Sequence, residues 1–306
     1  MQLGFVSAIL PELDTQTVLQ VAADLEFDCV EMMCWPVGKA NRRYAGVTHI
    51  DVTRLTDENI KEINNLSWRH GVNISGLGYY GNALSADAAE AKAAVRQIRL
   101  VIAACAQLSI PRMNTFIGRD WTVSIDENFE RFTDVWKPII QFAEDQDVCI
   151  GIENCPMLFT NDEWPGGKNL AASPAIWRRM FHEIPNSHFG LNYDPSHLVW
   201  QQMDEVTPLR EFASRIFHVH AKDMLIDRQA LNDVGTLALP SLYSDGRIPG
   251  RGQVNWPSFF AMLKEINYCG PVCVEVEDRE YETTLEGRKR ALRESHDFLR
   301  QFVPAE

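Results

Sequence analysis

The chain has 306 residues, 45% of them hydrophobic and 23% charged, and a formal net charge of −13. That length and composition suit a soluble protein with a large core, and the negative charge excludes the basic face with which proteins hold nucleic acid. The opening MQLGFVSAIL lacks basic residues and is too short an apolar run to cross a bilayer, so a cytoplasmic protein with no membrane partner is expected. The seven cysteines are scattered without a C-x-x-C pair and are expected to be reduced and mostly buried.

In chain order, LGFVS reads as a strand, and DTQTVLQVAADLEFD as a helix with Asp14 at its N-cap. CVEMM is strand-like, TDENIKEINNLSWRHG a helix opening on Thr56 and stopping at Gly71, and VNISGLG a strand. The Ala-rich SADAAEAKAAVRQIRLVIAACAQLS is a long helix and RMNTFIG a strand. SIDENFERFTDVWKPIIQFAEDQ has helical spacing, with Pro138 as an expected kink or break. VCIGIEN is a strand, ASPAIWRRMFHEI a helix and HFGLNYD a strand. A short helix around TPLREFA precedes the strand RIFHVHAKD. NWPSFFAMLKEI is a helix, PVCVEVE a strand and TTLEGRKRALRESHDFLRQF the last helix.

Eight strand–helix repeats with no linker between them predict one domain over residues 1–306, an α/β (β/α)8 TIM barrel. A doubly wound sheet would carry a glycine-rich first turn, and SAILPELD does not. In this barrel chemistry sits at the C-terminal ends of the strands. There the sequence places Glu31, Asn114, Glu153, Asn154, Asn192, Asp194, His218, His220, Glu275 and Glu277. Around one mouth, Glu153, Asp194 and Glu275 would repel one another unless a cation sat among them. A divalent ion held by Glu153, Asp194, His220 and Glu275 resolves that repulsion, and the oxygen-rich set suits Mn²⁺ first, with Mg²⁺ or Co²⁺ as alternatives. His218, one pleat deeper than His220, reads as a buried structural histidine.

GIENCP, GLNYDPSHL, HVHAKD, PGRGQVNW and VCVEVE, in that order, resemble the xylose-isomerase-like barrel family of inosose isomerases and dehydratases, ketohexose 3-epimerases and hydroxypyruvate isomerase. The resemblance implies the same four metal ligands and places the family's substrate-touching histidine on His197. It also implies Glu153 and Glu275 as the acid–base pair of a metal-dependent sugar isomerase or epimerase working on a keto-sugar through an enediolate. The alternative reading is a metal-dependent lyase, dehydratase or deglycosylating enzyme acting on a keto-inositol or 3-keto-glycoside. Ile226 stands where the 3-epimerases carry an arginine, which puts a monosaccharide ketohexose in question.

Asn154, His197, Lys222 and Arg251 are the candidate substrate contacts, with Lys222 equally readable as an ion-pair partner of the clustered carboxylates. The long stretches after strands five and seven, MLFTNDEWPGGKNLAAS without periodicity and MLIDRQALNDVGTLALPSLYSDGRIPGRG without a clear helix, are expected to be binding loops or a lid, with an oligomer contact as the alternative. Trp35, Trp121, Trp164 and Trp200 are candidates to stack on a sugar ring. Assembly as a homodimer or homotetramer is expected.

Overall fold

The computed structural model describes residues 1–38, 46–157 and 167–304. Its elements in chain order are β1 (Gln2–Val6), α1 (Thr15–Asp24), β2 (Cys29–Met33), α2 (Asp57–His70), β3 (Asn73–Gly78), α3 (Ala88–Leu108), β4 (Arg112–Thr115) and α4 (Ile125–Asp145). They continue with β5 (Cys149–Glu153), α5 (Pro174–Glu183), β6 (Phe189–Tyr193), α6 (Ser196–Val199), α7 (Thr207–Glu211) and β7 (Ile216–Ala221). Then come β8 (Asp223–Ile226), α8 (Arg228–Val234), β9 (Ser244–Arg247), α9 (Trp256–Glu265), β10 (Pro271–Val274) and α10 (Leu285–Leu299). Strands β1, β10, β7, β6, β5, β4, β3 and β2 follow one another around a closed parallel barrel. This is the (β/α)8 architecture that the alternation predicts.

Local chemistry sets the element ends. Asp14 caps α1 by accepting the Thr17 N–H, and Thr56 forms a reciprocal capping box with Asn59 at the start of α2. Gly71 ends α2 at φ +65°, a left-handed turn that glycine adopts without strain. The break expected at Pro138 does not occur: α4 runs through it. Pro138 and Asp134 are both exposed, so the carbonyl that loses its intrahelical partner lies where water can serve it.

The core fills the space between strands and helices. Phe132, Trp136, Trp177, Phe189, Leu191 and Phe259 are fully buried in it. The indoles keep polar partners there, Trp136 donating to the Ile117 carbonyl at 3.0 Å and Trp177 to that of Ala171 at 2.7 Å.

The stretch after β7, expected to lack regular structure, is ordered. β8 and β9 form an antiparallel pair that brackets α8. Its apolar face, Met224, Ile226 and Tyr243, clusters with Trp200. The base of this excursion is tied at Asp223. Its carboxylate accepts the N–H groups of Met224, Gly250 and Val254 at 2.8–2.9 Å and the Trp256 indole at 2.8 Å. Much of the stretch expected after the fifth strand, including Trp164, lies outside the described residues. Among the described residues no helix is long and apolar enough to cross a membrane.

Candidate active site

Strand periodicity and register bring the site together. On β7, His218 and His220 share the inward face and Lys222 continues the row. His220 sits beside Cys273 of β10, and the Glu275 N–H donates to the Ala221 carbonyl at 3.2 Å, prolonging that pairing by one step. Glu153 closes β5 opposite Asn192 of β6, and a register shift between Leu191 and Asn192 resets β6 against β7. Glu153, Asp194, His220 and Glu275 thereby offer one donor atom each, all within 4.8 Å of one another. The first three are buried, and the Glu275 side chain is 21% exposed.

Two of these donor atoms lack hydrogen-bond partners. His220 Nδ1 points at Glu153 Oε1 and Glu275 Oε2 at 3.6 and 3.7 Å, and makes no hydrogen bond. Asp194 Oδ2 is likewise unbonded, although Lys222 Nζ and His197 Nε2 lie 3.2 and 3.4 Å away in poor geometry. Asp194 Oδ1 accepts the Ser196 N–H at 2.8 Å, which fixes the carboxylate's orientation. Buried polar atoms normally find partners, so the pair marks a place that fits a cation.

Lys222 is buried among the clustered acids. Its ammonium lies 2.6 Å from Glu275, 3.0 Å from Glu277 and 3.2 Å from His197 Nε2. Burial opposes its charge, but Glu275, Glu277 and Asp194 hold its pKa well above the usual lysine value. The ammonium sits among the carboxylates of Asp194, Glu275 and Glu277, with Glu153 nearby, a gathering of like charges of the kind that a divalent ion would also balance. Burial, opposed by Lys222 and reinforced by Glu153 and Glu277, pushes Glu275 up to about 7. Burial also works against ionisation of Glu153, yet its contacts with His197 and His220 hold it well below the usual carboxylate range. For His220, burial opposes the imidazolium and the carboxylates of Glu31, Glu153 and Glu275 more than offset it, raising its pKa.

His197 stands at the cluster as the resemblance implies, in the short helix α6 that follows Asp194 and Pro195. Its Nε2 is 3.3 Å from Glu153 Oε1 and its Nδ1 accepts the Trp200 indole N–H at 3.4 Å. Two other candidates for substrate contact are placed differently. Asn154 gives its amide to Asp194, accepting that residue's N–H at 2.7 Å and donating to its carbonyl at 2.9 Å. It ties the Asp194 backbone to the end of β5, and so helps to place that residue's carboxylate. Arg251 pairs with Glu294 at 2.7 Å and lies over the Tyr281 ring, so its charge is engaged on α10 rather than at the cluster. Arg228 donates to Gln202, and Arg247 pairs with Asp245 and Asp278. Of the tryptophans, Trp35 packs edge-on against Tyr79, Trp121 is 39% exposed and Trp200 supports His197.

His218 is fully buried, 3.0 Å from Asn192 Oδ1 and 3.3 Å from Ser75 Oγ. Tyr80, which sequence reasoning did not single out, donates to Glu31 beside His220. Its position two residues past β3 was the available signal.

A family model described as xylose isomerase-like TIM barrel matches residues 19–302. The uncharacterized protein YfiH of Bacillus subtilis is 26% identical over 301 residues, which is 91% of this chain and 93% of YfiH. An inosose dehydratase of Mesomycoplasma hyopneumoniae is 34% identical over 128 residues, covering 40% of this chain and 41% of the dehydratase. Among solved structures, a D-psicose 3-epimerase crystallised in the presence of D-fructose superimposes with a TM-score of 0.73 and 16% identity over the whole of both chains. At that identity the likeness is one of fold.

Proposed function

The chain belongs to the xylose isomerase-like TIM barrel family, and from that premise we propose that it is a divalent-metal-dependent isomerase or epimerase of a keto-sugar. The observation that carries the reading is the convergence of Glu153, Asp194, His220 and Glu275, with His220 Nδ1 and Asp194 Oδ2 lacking hydrogen-bond partners. These four residues would hold the ion. When bound, the ion supplies Lewis acidity, polarising a substrate carbonyl and acidifying the neighbouring C–H. Glu153 and Glu275 rise from separate strands, so one removes that proton and the other returns one to the resulting enediolate. Return to the opposite face of the same carbon gives an epimer, and return to the adjacent carbon an aldose–ketose isomer. His197 orients Glu153, and Lys222 holds Glu275 while offsetting part of the cluster's negative charge.

The partial match to an inosose dehydratase favours a second outcome from the same first step. Expulsion of a β-hydroxyl or alkoxide in place of reprotonation makes the enzyme a lyase, and keto-inositols or 3-keto-glycosides become its substrates. Proton NMR in D₂O separates the two. The Mn²⁺-loaded protein would be incubated, in turn, with ketoses, inososes and 3-keto-glycosides. Deuterium at the carbon next to the carbonyl with a new epimer or isomer supports the first reading, and an unsaturated or deglycosylated product the second. No exchange with any member of the panel would sink both.

A further inference from the structure

A buried polar chain leads away from the cluster through the barrel interior. Glu31, on the inward face of β2, has its Oε2 2.7 Å from His220 Nε2 and accepts the Tyr80 hydroxyl on Oε1 at 2.5 Å. Asn192 Nδ2 is also 3.0 Å from His220 Nε2, while its Oδ1 faces His218 Nδ1 at 3.0 Å. A carboxylate only accepts hydrogen bonds, so a contact of 2.7 Å requires the proton on Nε2. With Nε2 accepting from Asn192 instead, its lone pair would face that of Glu31. The charge-assisted bond therefore keeps a proton on Nε2, whether or not Nδ1 also carries one.

The chain also makes room for this arrangement. A Cβ on Gly78 would come within 2.6 Å of Glu31 Oε1, so the glycine on β3 lets the carboxylate lie where it does. Glu31, His218 and His220 also lie close enough to suggest a second ion site. Their atoms are already engaged, however: His218 by Asn192 and Ser75, Glu31 by Tyr80 and His220.

We propose that Glu31, supported by Tyr80, is a positioning residue: it holds the Nε2–H of His220 so that Nδ1 is the nitrogen presented to the cation. This rests on the metal reading above and goes beyond the four ligands. Carboxylate partners of this kind fix a ligating ring and raise its basicity, and their loss typically lowers metal affinity about 10–100-fold.

The test uses the full chain with Glu31→Gln and Tyr80→Phe, titrated with Mn²⁺ by calorimetry, and with Co²⁺ by proton NMR. In the wild type the exchangeable N–H of a cobalt-bound imidazole should appear as a strongly shifted signal. Glu31→Gln should weaken Mn²⁺ about 10–100-fold and broaden or abolish that signal, with the melting temperature of the metal-free protein little changed. Tyr80→Phe should weaken binding in the same direction by a smaller factor, and it carries the test if Glu31→Gln does not fold. Wild-type affinity and an intact N–H signal in the variant that folds overturn the proposal. Two ions per chain, one of them lost on His218→Asn, would overturn it too by making Glu31 a ligand of its own site. Asp194→Ala serves as the control for the metal reading. If its affinity matches the wild type, that reading fails and the proposal with it, whereas an ion lost in Asp194→Ala but held normally in Glu31→Gln sinks the proposal alone.

Discussion

Along β5, β6, β7 and β10 the mouth of the barrel is lined by Glu153, Asp194, His220 and Glu275, whereas at the end of β2 and beyond β3 and β4 it is lined by Met33, Tyr80 and Phe116. The second group clusters with Val6, Cys29, Val47 and Cys273, and Tyr80 meets Phe116 edge-on at 4.9 Å. One wall thus concentrates charge and the other withholds water from it. Charges beside a low-dielectric surface interact more strongly than charges in water, so the apolar wall sharpens whatever the charged wall does. Glu31 links the two, rooted in the apolar wall and bonded to His220 of the charged one.

If the walls divide the labour in this way, the largest effect comes from the charged one. His220→Ala should abolish stoichiometric ion binding and turnover while the barrel still folds, checked by elemental analysis beside circular dichroism. A full complement of ion in that variant would erase the distinction between the walls. Next in size, Glu153→Gln and Glu275→Gln should each lower deuterium exchange into substrate by about 10²–10⁴-fold. Either variant exchanging near the wild-type rate with ion bound would remove that glutamate from proton transfer.

The apolar wall should respond in the opposite currency, stability. Phe116→Ala opens a cavity at a buried aromatic contact and should destabilise the fold by about 3–5 kcal/mol in urea unfolding, with a much smaller effect on ion affinity. The smallest effect is expected away from both walls. Arg251→Ala breaks a half-exposed pair with Glu294 and should shift stability by about 0–1 kcal/mol, leaving the rate unchanged. A large loss of rate there would make Arg251 a substrate contact.

The barrel and the charged wall were legible because both are written in short-range pattern. Alternating strand and helix periods gave the architecture, and the His218–His220–Lys222 row followed from the two-residue repeat of a strand. What escaped was pairing between distant side chains. Nothing local says that Asn154 bonds to the Asp194 backbone, or that Arg251 turns to Glu294. The bond between Glu31 and His220 spans 189 residues, so Glu31 could be read only as one more acid at a strand end. The β8–β9 pair was missed for a different reason. Its four-residue strands, DMLI and SDGR, are too short to show an alternation, and one is mostly apolar while the other has no apolar side chain.

The buried carboxylate of Asp223 has a consequence for how this barrel can change over time. It clasps both ends of the segment that leaves β7 and returns before α9, and the chain between Ile226 and Ser244 is held as a detachable cassette. Insertions or deletions in the cassette need not be transmitted to His220, because the clasp absorbs them before they reach β7. Yet the cassette leans on Trp200, which bonds to His197, so its shape bears on the neighbourhood of the reacting groups. On the proposed function, a lineage would refit one proton chemistry to substrates of different bulk by editing this excursion. Replacing residues 228–242 with a short turn should alter which substrates are accepted while Mn²⁺ affinity stays as it was, and a loss of that affinity would show that the clasp does not insulate the barrel.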